Sequence, residues 1–157
     1  MNLQHNIYKP QKFQKDGEYT GAAFGFQLFQ PENGRPVFLM KCVKQRDWSD
    51  ESGKGSFYNH KENPDKAISV KLNEIELGSL ISVIRTYDED GFSAFHTFGD
   101  DKTTISFKPY TKKDGKKAFS LTLKKNGALQ IGMGVEKGEA ESLRVLFEMA
   151  LGEMFKG

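Results

Sequence analysis

Near the C-terminus, Leu129, Ile131, Met133 and Val135 alternate with Gln130, Gly132, Gly134 and Glu136. A period of two predicts a strand with one buried face. From Ala140 the spacing changes, and Ala140, Leu143, Leu146, Phe147, Ala150, Leu151 and Met154 recur every three or four residues. That period draws an apolar stripe down one side of a helix. A strand with one apolar face and a helix with one apolar stripe must bury them together, so residues 129–155 predict a core-forming strand-helix unit.

The same unit occurs earlier. Ile68, Val70 and Leu72 alternate and run into Glu76, Leu77, Leu80, Val83 and Ile84, at a constant offset of 63 residues from the C-terminal unit. Upstream, Phe24, Phe26, Phe29, Gly34 and Phe38 match Ile105, Phe107, Tyr110, Gly115 and Phe119 at an offset of 81. Two amphipathic helices would resemble each other in any case. Two blocks in the same order, differing by a polar insertion, predict an internal duplication. Repeat one is placed at about 12–88 and repeat two at about 91–155, within a single domain spanning 1–157.

The remaining strands are read the same way. Alternation predicts strands at Ala22–Phe29 and Val37–Gln45 around a Pro31-Glu32-Asn33-Gly34 turn. It predicts further strands at Phe92–Phe98, Thr103–Tyr110 and Ala118–Lys125, with Asn126-Gly127 as a hairpin signal. Residues 1–20 are polar, divided between disorder and a first strand. Arg46–Asp65 is a polar loop with room for a short strand near Phe57. The expected class is α+β, with each half an antiparallel meander of about four strands closed by one helix.

Composition changes the picture in only a few respects. The 157 residues are 37% hydrophobic and 28% charged, an ordinary soluble balance. No run approaches a membrane span, and the N-terminus carries no apolar signal segment, so a cytoplasmic location is expected. The lone cysteine, Cys42, shares a strand side with Phe38 and Met40, which predicts a buried, inert thiol. The net charge of +2 conceals a separation: Lys102–Lys125 holds eight lysines against Asp114, whereas Glu136–Glu153 sums to −3. Basic strands beside an acidic helix suit a polyanionic partner.

The outward strand positions Ala23, Gly25, Gln27, Thr104, Ser106, Ser120, Thr122, Gln130, Gly132 and Gly134 are small or uncharged, with lysines at their margins. Such a face suits a single nucleic-acid strand, its bases stacking on rings and its phosphates meeting ammonium groups. Packing against another copy of the chain is the competing reading, and a homo-oligomer is expected. His5, His60, His96 and Cys42 show no metal-ligand spacing, and there is no Walker loop or dinucleotide fingerprint. No catalytic residue, metal or cofactor is therefore expected. Trp48 follows Lys44 and Arg46, where it serves either as a partial core residue or as a stacking platform.

Several segments resemble a known family. Phe95-His96-Thr97-Phe98, Lys102 to Pro109, Ala118 to Thr122 and Gly138-Glu139-Ala140-Glu141 look like the positive cofactor 4 and Whirly superfamily, the microbial and phage branch above all. Gly21-Ala22-Ala23-Phe24 resembles part of the lysine-glycine-lysine-alanine-alanine-leucine signature of plant Whirly proteins, with the signature lysines replaced by Glu18-Tyr19-Thr20 around the glycine. The likeness covers roughly residues 13–155. It implies a four-stranded antiparallel sheet followed by a helix, here in two copies, and non-enzymatic, largely sequence-independent binding of single-stranded DNA in replication, recombination, repair or transcription. RNA binding by the same surface is the alternative ligand, and a protein-interaction module the alternative class. The candidate contact residues are Tyr19, Phe29, Lys41, Lys44, Arg46, Trp48, Phe57, Phe95, His96, Lys102, Lys108, Tyr110, Lys117 and Lys124.

Overall fold

Both helices carry at their third position a glutamate that reaches back to close the first turn, where backbone N–H groups lack helical partners. In α1, Glu74–Thr86, the Asn73 side chain accepts from the Glu76 N–H, and Glu76 accepts from the Asn73 N–H. In α2, Lys137–Met154, Glu139 accepts from the Glu136 N–H. Past the end of α1, Tyr87 takes a left-handed conformation (φ 51°) and stacks on Phe119. The computed structural model describes residues 2–156.

The architecture is α+β, with mostly antiparallel sheets and two helices. The strands are β1 Leu3–Lys9, β2 Gln14–Lys15, β3 Glu18–Tyr19, β4 Ala22–Phe29, β5 Val37–Ser49, β6 Lys54–Phe57 and β7 Ala67–Leu72, followed after α1 by β8 Phe92–Phe98, β9 Asp101–Thr111, β10 Lys117–Lys125 and β11 Leu129–Val135. The first sheet runs β1-β4-β5-β7, with β6 paired to the far end of β5, and the second runs β8-β9-β10-β11. β2 and β3 form a small separate hairpin.

The pairing register repeats between the sheets. Phe24, Phe26 and Leu28 oppose Cys42, Met40 and Phe38, and Ile105, Phe107 and Pro109 oppose Leu123, Leu121 and Phe119. On the next strand, Cys42, Met40 and Phe38 meet Ile68, Val70 and Leu72, as Leu123, Leu121 and Phe119 meet Ile131, Met133 and Val135. The first strands obey the same rule, with Ile7 against Phe24 and Ala94 against Ile105. That equivalence makes Tyr8 the counterpart of Phe95 and Lys9 the counterpart of His96.

Contacts between the halves are reciprocal. Lys9 Nζ lies 2.6 Å from Glu139 Oε1, and His96 Nε2 lies 2.6 Å from Glu76 Oε2. The first strand of each half is thus tied to the helix of the other half, at equivalent positions. Reciprocity of this kind is what a two-fold relation between two units produces. The inward faces of both sheets and the stripes of both helices form one apolar cluster. Phe147 sits at its middle, edge-on to Phe26 at 6.0 Å and to Phe38 at 5.7 Å.

Some boundaries differ from the sequence reading. The first unit opens at Leu3, because Leu3, His5 and Ile7 alternate on an edge strand in which only Ile7 is fully buried. Strand β5 continues to Ser49, so Trp48 lies in a two-stranded ribbon with β6, opposite Gly55. A kink in register between Gln45 and Asp47 starts that ribbon. Buried Gln45 holds the kink: its Oε1 accepts from the Gln11 N–H at 2.7 Å, and its Nε2 donates to the carbonyls of Gln11 and Asp47. Gly21 and Gly55 leave space for that amide. A Cβ on Gly55 would stand 2.6 Å from Pro10 Cβ and 3.1 Å from Gln45 Nε2.

Candidate nucleic-acid interface

Because side chains alternate along a strand, each sheet buries one face and presents the other outward. On the first sheet the outward positions are Gln4, Asn6 and Tyr8 of β1, Ala23, Gly25, Gln27 and Phe29 of β4, Val37, Leu39, Lys41 and Val43 of β5, and Ala67, Ser69 and Lys71 of β7. On the second they are Ser93, Phe95 and Thr97 of β8, Lys102, Thr104, Ser106, Lys108 and Tyr110 of β9, Ala118, Ser120, Thr122 and Lys124 of β10, and Gln130, Gly132 and Gly134 of β11. The chain has 21 acidic residues, and none occupies these positions. Five lysines do: Lys41, Lys71, Lys102, Lys108 and Lys124.

Aromatic rings complete the surface. Tyr8 is 60% exposed and Phe95 62%, at equivalent edges of the two sheets. Tyr8 packs at 5.7 Å against Phe57, which arrives from β6. Tyr110 lies across the second sheet toward Gly134, its hydroxyl 3.1 Å from where a Cβ on that glycine would be. The absence of a side chain at Gly134 lets the ring lie flat. Phe29 occupies the equivalent place on the first sheet, half-buried.

The expected contact residues therefore separate into two groups. Phe29, Lys41, Phe95, Lys102, Lys108, Tyr110 and Lys124 come together on the outward faces, with Phe57 at the rim of the first. The others lie elsewhere. Lys44 is drawn to Glu18 at 3.1 Å, and its ammonium holds that carboxyl below the usual range. Tyr19 lines a hollow of about 470 Å³ between the β2-β3 hairpin and β11, together with Lys15, Asp16, Glu18, Lys44 and Gln130. Arg46 Nε stands 3.5 Å from Asp47, and Trp48 Nε1 donates to Asp50. Lys117 extends over the Tyr87 ring. His96 points away from the face and is engaged by Glu76, so its place in the fold is the inter-repeat contact.

Residues of the surface that escaped the sequence reading include Gln4, Asn6, Tyr8 and Lys71. The signal for Tyr8 was the equivalence of β1 with β8, which the polar sequence of β1, with Ile7 its one fully buried residue, conceals. Elsewhere, Cys42 is buried and burial pushes its thiol far up, as its neighbours predicted. His60 is half-buried, with Nε2 out of reach of any hydrogen-bond partner; burial, then Lys41 and Lys125, push its pKa down. Among the described residues no three His, Cys, Asp or Glu side chains gather as a metal site, and no helix is long and apolar enough to cross a membrane. Compared with known proteins, the chain matches no protein-family model and no curated sequence.

Proposed function

We propose that the protein binds single-stranded nucleic acid, DNA in the first instance, across the outward faces of its two sheets and without catalysis. One observation carries this reading: the outward strand positions of both sheets bear lysines and exposed rings and no carboxylate, with Asp16 and Glu18 of the β2-β3 hairpin beside Gln130, although acidic residues are common elsewhere in the chain. Ammonium groups meet phosphates, and Tyr8, Phe95 and Tyr110 offer π-faces to unpaired bases. A duplex hides its base faces, so stacking of this kind selects single strands. The resemblance to the positive cofactor 4 and Whirly superfamily supports the same reading, as does the repeated sheet-helix unit.

One observation favours assembly of copies instead. Leu39 and Val43 stand half-buried among the outward positions of the first sheet, an apolar element that packing would cover. A single titration separates the readings. Tyrosine and tryptophan fluorescence is followed against oligo-dT, the same sequence as RNA, and a duplex, at two salt concentrations. Binding of single strands over duplex, weakened by salt, is the expected result. Equal or absent binding of all three, with concentration-dependent self-association, would replace it by the assembly reading.

A further inference from the structure

The duplication allows the two outward faces to be compared position by position, and their chemistry differs. Register places Val43 where the second sheet has Lys124, Gln27 where it has Lys108, and Asn6 where it has Ser93. At these positions the second face has hydroxyls and ammonium groups, with one carboxamide, Gln130, on its far strand. The first instead surrounds a groove of about 290 Å³ with the carboxamides of Gln4, Asn6 and Gln27, and with Tyr8 and Lys41. Gly25 opens the groove: Asn6 Oδ1 stands 3.0 Å from where a Cβ on Gly25 would be. All three carboxamides lie on the outward side of their strands, Gln4 and Asn6 exposed and Gln27 half-buried, where an arriving group can reach them.

A carboxamide presents an acceptor and two donors in one plane, the complement of a nucleobase edge. The Tyr8 ring, braced by Phe57, supplies the platform on which an unstacked base would lie. Nothing in the groove is anionic, and Lys41 adds a further donor for a carbonyl or ring nitrogen.

We infer that this groove is a nucleobase-reading subsite, with one base of a bound strand against Tyr8 and its edge read by Asn6, and with Gln27, four register positions along from Tyr8, reading the neighbouring base. The inference rests on the proposed binding of single strands and adds a division of labour to it. Phosphate attraction, which is blind to sequence, belongs mainly to the second sheet, and base preference to the first.

The test uses oligo-dA, oligo-dC, oligo-dT and an abasic sugar-phosphate oligomer of equal length. Each is titrated into the full chain and into the Asn6→Ala/Gln27→Ala and Lys108→Gln/Lys124→Gln variants. The wild type should separate the best from the worst homopolymer by about fivefold or more. Asn6→Ala/Gln27→Ala should bring the homopolymers within about twofold of one another and leave abasic binding unchanged. Lys108→Gln/Lys124→Gln should weaken all four by a common factor and preserve their ratios. If the double amide variant melts early, Gln27→Asn alone, which shortens the amide and keeps its polarity, should reduce the ratios. Equal wild-type affinities, or ratios that survive the amide replacements, would overturn the subsite while leaving single-strand binding intact. Failure of every oligomer to bind, the abasic one included, would overturn both.

Discussion

Replacing Lys108 and Lys124 by Gln removes two of the five ammonium groups on the outward faces without touching an ion pair. If each of the five meets one phosphate, log K should fall with log salt at a slope of roughly −3.5, taking about −0.7 per phosphate on a single strand. The double variant should fall at roughly −2.1. Between 50 and 200 mM salt, the wild type would lose about 130-fold in affinity and the variant about 20-fold. Fluorescence titration with oligo-dT at four salt concentrations measures both slopes. Lys44→Gln and Lys112→Gln are the controls, since these lysines pair with Glu18 and Glu136. Each control changes net charge but should leave the slope near the wild-type value. A double variant with an unchanged slope, or controls that flatten it as much, would refute the assignment of phosphate contacts to the outward faces.

Other measurements probe single positions. Tyr8→Ala and Phe95→Ala should each weaken all single strands by about tenfold for every ~1.4 kcal/mol of stacking lost; both rings are exposed, so melting should not change, and normal binding by both variants would remove stacking from the account. Gln45→Ala strands the Gln11 N–H and two carbonyls and should cost roughly 1–3 kcal/mol in urea unfolding; an unchanged midpoint would mean the kink holds without it. Burial, then Lys41 and Lys125, lower the folded pKa of His60 below the unfolded value of about 6.5. Its contribution is whole above that unfolded value and is lost as pH falls toward the folded one. His60→Asn should therefore flatten the decline of stability below about pH 6.5, and an identical pH profile would show that His60 stays accessible to protons in the fold.

Much of the fold was legible in the alternation of residues because each sheet has one buried face. Phe24, Phe26, Phe107 and Phe119 had to point inward together, and that set their strands. The repeated register was legible for the same reason, since Phe24 and Ile105, or Leu80 and Leu143, occupy equivalent core positions under equivalent packing demands. The lysine-rich strands and the small outward residues were equally open to reading. Alternation could not show β1, an edge strand with a single fully buried residue, nor the continuation of β5 to Ser49, which the Gln45 amide stabilises from a distance in sequence.

The sequence by itself determined which residues are inward and which are outward, because a period of two or of 3.6 leaves little choice once one face must leave water. Only the tertiary structure decided which lysines are paired. Lys44 and Lys108 look alike in sequence, yet a hairpin brings Glu18 within 3.1 Å of the first, whereas the second stands at an outward position of β9 with no ion pair among the described residues. His96 was assigned in the same way, by Glu76 arriving from the helix of the other half. Those partners lie 26 and 20 residues away along the chain. Local periodicity carries no information across such separations; the packing of the two halves does.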